Sequence, residues 1–305
     1  MLLDVLHDTH YRYQAPVQVA QHQLHLSPRA TDQQAVESHH LQVWPVPGDW
    51  HLDIDPFGNE RRFFTLTEPH DALTLSARSR VRTRPFEARA DLDLQLPWEQ
   101  VRERFVYRGG RADDPASVYL FPSPLVPRGA DFEDYARQSF GAGRPLIEAA
   151  QALNLRLHED FVYDGSSTGV ETTAAQALAK RRGVCQDFAH VMVACLRSLG
   201  LPARYVSGYL LTHPPPGQPR LIGADASHAW VEVYLPSPDP AQATGQWFGH
   251  CPTNARTPGE DYVYMACGRD FTDVSPVRGV IQGGQHHELD VAVTVMPLDE
   301  AGFGL

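Results

Sequence analysis

The hydrophobic period of this chain changes once, and that change limits what it can fold into. Up to about residue 85, apolar residues alternate with polar neighbours: Tyr11 with Tyr13, Leu24 with Leu26, Leu41 with Val43, Leu73 with Leu75. A period of two buries one face of a strand. The run DPFGN at 55–59 is a turn between two such strands. These residues predict an antiparallel β-rich domain. From Pro145 the period is helical, with Leu146, Ala150, Leu153, Leu157 and Phe161 on one face at three- and four-residue steps. Residues 85–142 are less regular. The prolines of FPSPLVPRG (121–129) predict an extended connection there, because each disfavours helix for the residue before it. A length of 305 residues with 42% hydrophobic content suits two domains, divided as 1–135 (β-rich domain and connection) and 136–305 (core).

Within the second part, TAAQ (173–176) has capping-box form, so a short helix is expected from Ala174 to Gly183. Cys185 then falls in the first turn of a further helix of about fifteen residues. Its apolar face runs through Phe188, Val191 or Met192, Cys195 and Leu199, and Gly200, Leu201 and Pro202 end it. Strands are expected at 203–211, 228–235, around 247–249 and at 289–295. The proline-rich stretches HPPPGQPR (213–220) and PSPDPAQATGQ (236–246) read as loops, and no internal repeat is present.

A net charge of −11 argues against a nucleic-acid partner, since phosphate binding needs a concentrated basic surface. No apolar run approaches the roughly eighteen residues of a membrane span, and residues 1–20 lack a basic start followed by an apolar block. A cytoplasmic protein without membrane contact is the expectation. The four cysteines, Cys185, Cys195, Cys251 and Cys267, include no CxxC pair, so neither a zinc ribbon nor a redox dithiol is signalled. Cys195 reads as packing at helical spacing, and Cys267 has no visible partner. His286 and His287, beside Glu288, point to opposite faces of a strand and make no metal site. Trp230, Tyr234 and Trp247 read as core aromatics.

Cys185 is a candidate for nucleophilic chemistry. A helix start presents unpaired N–H groups and the positive end of the macrodipole, which favour thiolate and can bring a cysteine from about 8.5 into the range of roughly 3.5–7.5. A structural cysteine that happens to begin a helix is the alternative. His190 lies five positions along the same helix, about 140° around it, and cannot serve as base. His228 opens the alternating strand HAWVEVYL after the small residues GADAS (223–227), a position from which a strand projects side chains into a cleft.

The blocks VCQDFAHVMVACLRSLGLPARYVSGYL, DASHAWVEVYLP, WFGHCPTN and GRDFTDVSPVRGVIQGG resemble, in order, those of the bacterial transglutaminase-like family. THYRYQAPV and LHLSPRA resemble the β-rich domain that precedes its core. The resemblance implies an α+β fold: a papain-like, transglutaminase-like core, with the Cys-bearing helix packed on an antiparallel sheet, behind an antiparallel β-rich domain. It also implies acyl transfer on peptide or protein amides without a cofactor, hydrolysis ahead of cross-linking. Cys185 would be nucleophile, with its own backbone N–H as an oxyanion donor, and His228 base and acid.

In that family an aspartate precedes PTN, where this chain has Cys251. A neutral thiol orients and stabilises an imidazolium poorly. Three possibilities stay open: Cys251 ionises beside His228, Asn254 orients the ring instead, or the chain keeps the fold as a non-catalytic binding module. A zinc site at Cys185, His228 and Cys251, with or without His250, is disfavoured, because a triad places its members on opposite ring nitrogens and ligands must converge on one point. No metal is therefore expected.

Overall fold

The alternation of the first 85 residues folds as five strands: β1 (Leu2–Leu24), β2 (Gln34–Trp44), β3 (Asp49–Ile54), β4 (Glu60–Leu66) and β5 (His70–Thr83). The computed structural model describes residues 1–109, 114–212, 227–239 and 244–299. The five strands pair antiparallel in the order β2-β5-β1-β4-β3. β1 is the spine, and a register shift between Arg12 and Val17 lets its two halves serve different partners. The DPFGN turn closes β3 onto β4. Gly58 takes φ 81°, and Asp55 Oδ1 accepts from the Phe57 and Asn59 N–H groups at 2.8 Å each.

Residues 85–142 add α1 (Trp98–Arg104), a 3-10 turn at Pro115–Leu120 and α2 (Ala130–Arg137). Residues 121–129 between them carry neither helix nor strand. Trp98, Val101, Phe132 and Tyr135 are buried in one cluster with Leu153, Leu157, Phe188 and Met192 further along the chain.

Next come α3 (Leu146–Asp160), β6 (Val162–Tyr163), α4 (Ala174–Lys180), β7 (Arg182–Gly183) and α5 (Cys185–Ser198). α4 begins in the expected capping box, with Gln176 N–H on Thr173 Oγ1 and Gln176 Oε1 on Thr173 N–H. It stops short of Gly183: Arg181 turns left-handed at φ 51°, and Gly183 joins β7 instead. α5 ends as expected, at a Schellman turn with Gly200 at φ 79°. Leu201 N–H reaches Leu196 O and Gly200 N–H reaches Arg197 O, both at 3.0 Å.

A second sheet follows: β8 (Ala203–Leu210), β9 (Ser227–Leu235), β10 (Gln246–His250) and β11 (Tyr262–Gly268), antiparallel in the order β10-β9-β8-β11. Ala229, Val231 and Val233 of β9 face α5, while Trp230 packs on the other side with Tyr262 and Tyr264. The proline-rich 213–220, most of GADAS and residues 240–243 lie outside the described residues.

After α6 (Phe271–Val274), the last strands, β12 (Val277–Gly283) and β13 (His287–Leu298), do not extend the second sheet. Both pair antiparallel with β1. The strand expected at 289–295 therefore exists but belongs to the first sheet. Its alternation called for one buried face, and the open edge of β1 supplied it.

The two sheets are joined along β11, whose outer edge has no strand neighbour among the described residues. Gln34 fills part of that edge, its Nε2 donating to Tyr264 O and its Oε1 accepting from Tyr264 N–H, both at 2.8 Å. Asn59 does the same at Cys267, donating to the carbonyl at 2.7 Å and accepting from the N–H at 2.9 Å. Leu3, Val5, Val81, Val293 and Val295 of the first sheet pack beneath them on Tyr209, Val263 and Met265 of the second. Among the described residues no helix is long and apolar enough to cross a membrane, which says nothing of a β-barrel.

Candidate active site

Cys185 is the first residue of α5, and the turn ahead of it is built to hold that position. Asp187 reaches back so that its Oδ2 accepts from Val184 N–H at 2.8 Å and from Thr168 Oγ1 at 2.7 Å. Only glycine fits at 183, because a Cβ there would stand 2.4 Å from the same carboxylate oxygen. Gln186 Nε2 donates to Val170 O at 2.9 Å and ties the preceding loop to the helix start. The half-buried sulfur lies against the beginning of β9: it receives backbone N–H groups of Ala229 and Gln186 and stands 3.9 Å from Ser227 O.

His228 is the second residue of β9 and is buried. Tyr262 packs edge-on against its ring at 5.6 Å, and Trp230 lies roughly parallel at 6.5 Å. The chain leaving β10 turns tightly over 251–256, with Cys251 N–H on Arg256 O at 2.8 Å and Asn254 N–H on Cys251 O at 3.2 Å. That turn delivers two side chains to one ring nitrogen. Cys251 Sγ is 3.1 Å and Asn254 Nδ2 3.4 Å from His228 Nε2. Asn254 Nδ2 also donates to Tyr262 Oη at 3.2 Å, and the same hydroxyl bonds the Cys251 sulfur. Cys185 and His228 line one cavity of about 420 Å³, which opens between the two sheets.

Burial dominates the electrostatics. It pushes the Cys185 thiol up to about 11, outweighing the two N–H groups that favour thiolate. It also holds the His228 imidazole down at about 4, and Arg256 adds to that. The lowered thiol expected from the helix start is thus reversed, because enclosure by β9 costs the charged form more than the helix end returns. Burial raises Cys251 as well, against Tyr262 and two backbone N–H groups. At neutral pH the thiol and the imidazole that line this cavity are both uncharged.

The other candidates sit elsewhere. His190 is fully buried and accepts Phe271 N–H at 3.2 Å through Nε2. Cys195 is in the core, and Cys267 takes Arg29 Nη1 at 3.3 Å in the joint between the sheets. His286, His287 and Glu288 are exposed; Glu288 pairs with Arg12, and His287 approaches Tyr11. Trp230 and Tyr234 are buried, as expected, whereas half-buried Trp247 lines with Tyr234 a separate cavity of about 500 Å³, where it stacks on Arg204 at 4.1 Å. Among the described residues no group of three or more His, Cys, Asp or Glu is placed to hold a metal ion. Tyr262 escaped sequence reasoning. Its run YVYMACG alternates on neither face, and nothing local marks its hydroxyl for His228.

The description "transglutaminase-like superfamily" matches residues 133–249, and "bacterial transglutaminase-like N-terminal region" matches residues 3–82. The core match holds Cys185 and His228 and ends two residues before Cys251. An uncharacterized protein of Mycobacterium tuberculosis is 38% identical over 97% of this chain and 92% of its own length. A protein-glutamine gamma-glutamyltransferase of Pseudomonas aeruginosa is 29% identical over 59% of this chain and 29% of its own length. Among solved structures, one from Cytophaga hutchinsonii, described as a candidate cysteine protease, superimposes with a TM-score of 0.72. It is 21% identical and covers 100% of this chain and 94% of that one, a likeness of fold.

Proposed function

The chain belongs to the transglutaminase-like superfamily, and from that premise we propose that it is a cysteine-dependent enzyme acting on peptide or protein amides through Cys185 and His228. The observation that carries this is one ring: His228 has Nε2 held 3.1 Å from Cys251 and shares its cavity with the sulfur at the start of α5. Nδ1 is then the nitrogen that takes the thiol proton while sulfur attacks the carbonyl carbon. The Cys185 backbone N–H, in the first helical turn, serves as the oxyanion donor. Collapse of the tetrahedral adduct breaks the C–N bond, the amine leaves with the proton from Nδ1, and a thioester remains for water or a second amine. Hydrolysis is the favoured outcome, by kinship.

Because thiol and imidazole are both neutral at rest, the proton moves during attack rather than before it. Nε2 must then carry hydrogen and needs an acceptor. Turning the Asn254 amide places Oδ1 there, with Tyr262 Oη donating to the same oxygen, while Cys251 stays a thiol beside it. The pair orients the ring but gives the imidazolium no counter-charge.

Ammonia release from peptide glutamine, peptide-bond cleavage and incorporation of a fluorescent amine, measured on one preparation, separate the three outcomes. Loss of whichever is seen in Cys185→Ser, with a drop of at least tenfold in His228→Ala, is expected. Undiminished turnover in Cys185→Ser would end this proposal. The thiol in the carboxylate's place favours a second function, a non-catalytic module that binds amide-bearing peptides in the same cavity. Peptide binding without turnover, unchanged in Cys185→Ser, would establish that one.

A further inference from the structure

One wall of the cavity comes from the first sheet. β1 and β13 pair with His7 opposite Val293, Thr9 opposite Val291 and Tyr11 opposite Leu289. Residues directly opposite, and alternate residues along each strand, share a face of the sheet. At its lower end this face is interior: Val293 and Val295 pack with Leu3 and Val5 on the second sheet. At its upper end the same stripe emerges beside Cys185 and His228, where Tyr11, Leu289 and Val291 line the cavity. Leu289 is 52% and Val291 45% exposed, two branched aliphatics left uncovered on a wall of the cavity that holds the sulfur. Phe271 and Val277 line the same cavity.

Among the described residues that line this cavity there is no Asp, Glu, Lys or Arg. His7, at its edge, has both ring nitrogens engaged, Nδ1 with Tyr209 Oη at 2.6 Å and Nε2 with Thr9 Oγ1 at 2.9 Å, and burial keeps it uncharged at neutral pH. A carboxylate or ammonium entering here would lose water and meet no opposite charge among the described lining residues, whereas an apolar side chain would cover surface that already stands exposed.

We infer that the β1–β13 ladder is a specificity subsite, which seats an apolar, uncharged residue of the acyl donor next to the reacting carbonyl. The inference rests on Cys185 and His228 being the reacting pair and adds the substrate class to it.

The test is the second-order rate of Cys185 alkylation at pH 8, read by mass spectrometry of the Cys185 peptide. N-chloroacetyl amides of leucine, glycine, glutamate and lysine report on the subsite, and iodoacetamide reports the intrinsic reactivity of the thiol. The leucine probe should react at least about tenfold faster than the glycine probe, with the glutamate and lysine probes no faster than glycine. The double variant Leu289→Ser, Val291→Ser should lose that preference and keep the iodoacetamide rate within about twofold. Val291→Lys should make the glutamate probe the faster of the charged pair. Equal rates for all four probes, or a leucine preference that survives the double variant, overturns the subsite. An iodoacetamide rate that His228→Ala leaves unchanged instead overturns the reacting pair, and the subsite with it.

Discussion

At His228 the sulfur of Cys251 lies 3.1 Å from Nε2, and on the proposed reading it takes the place of a carboxylate and changes how protons must move. An anion at that distance would raise the imidazole, whose burial now holds it at about 4. Cys251→Asp should therefore raise His228, and with it speed Cys185 alkylation at pH 7 by roughly tenfold or more. Unchanged alkylation and turnover in that variant would show that the orienting position is not limiting. The sign of the pH dependence follows from which form works: the neutral ring is the base, and it is lost as pH falls through its pKa. The acid limb of kcat/KM should thus lie near pH 4 in the native protein and move upward in Cys251→Asp, which a rate profile from pH 3.5 to 8 checks. That His228 meets Cys251 and Asn254 and shares a cavity with Cys185 could be anticipated from the family resemblance of the motifs. Tyr262 and the raised thiol could not. One depends on the shape of the 251–256 turn and the other on how deeply β9 covers the helix start.

Among the elements, α5 matters most, and its placement depends on the short contacts at its entry. Gly183→Ala would press a methyl group into the Asp187 carboxylate and dislodge the cap of Val184. A loss of about 1–3 kcal/mol in urea unfolding should result, together with slower alkylation of Cys185. Wild-type values for both would mean that Asp187 does not position the nucleophile. α3 was legible because it buries one helical stripe, and α4 and α5 because each has a recognisable start or stop, although α5 is buried on all sides from Gln186 to Arg197. β11 was not, since the first sheet covers one of its sides and Trp230 the other, leaving no alternation to read. α1 and α2 are two-turn helices whose apolar residues are too few to set a period.

For the whole molecule, the joint along β11 makes the two sheets mutually dependent. Asn59→Ala would leave the buried N–H and C=O of Cys267 without partners and should cost about 2–4 kcal/mol, still in one unfolding transition. Two separated transitions in the native protein would contradict a shared core. Acid should weaken the molecule too. His7, His190 and His250 are all at most 2% exposed, and burial lowers each to about 4. Unfolded, they bind protons below about 6.5; folded, they do not until about 4, so stability is full above 6.5 and falls as pH drops toward 4. Urea midpoints at pH 7, 6 and 5 should decrease in that order. The fold class could be read from the sequence, but the home of β13 could not, because alternation specifies a half-buried strand without saying which edge receives it.

That return of β13 to β1 has a consequence for how the protein is made. Synthesis delivers the first strand hundreds of residues before its partner, so a ribosome-bound chain carries Cys185 and His228 well before the ribbon that walls their cavity exists. A product cut short between residues 228 and 287 would hold the Cys185 thiol without this wall of its cavity, and on the proposed mechanism selectivity would arrive only once β13 has been translated.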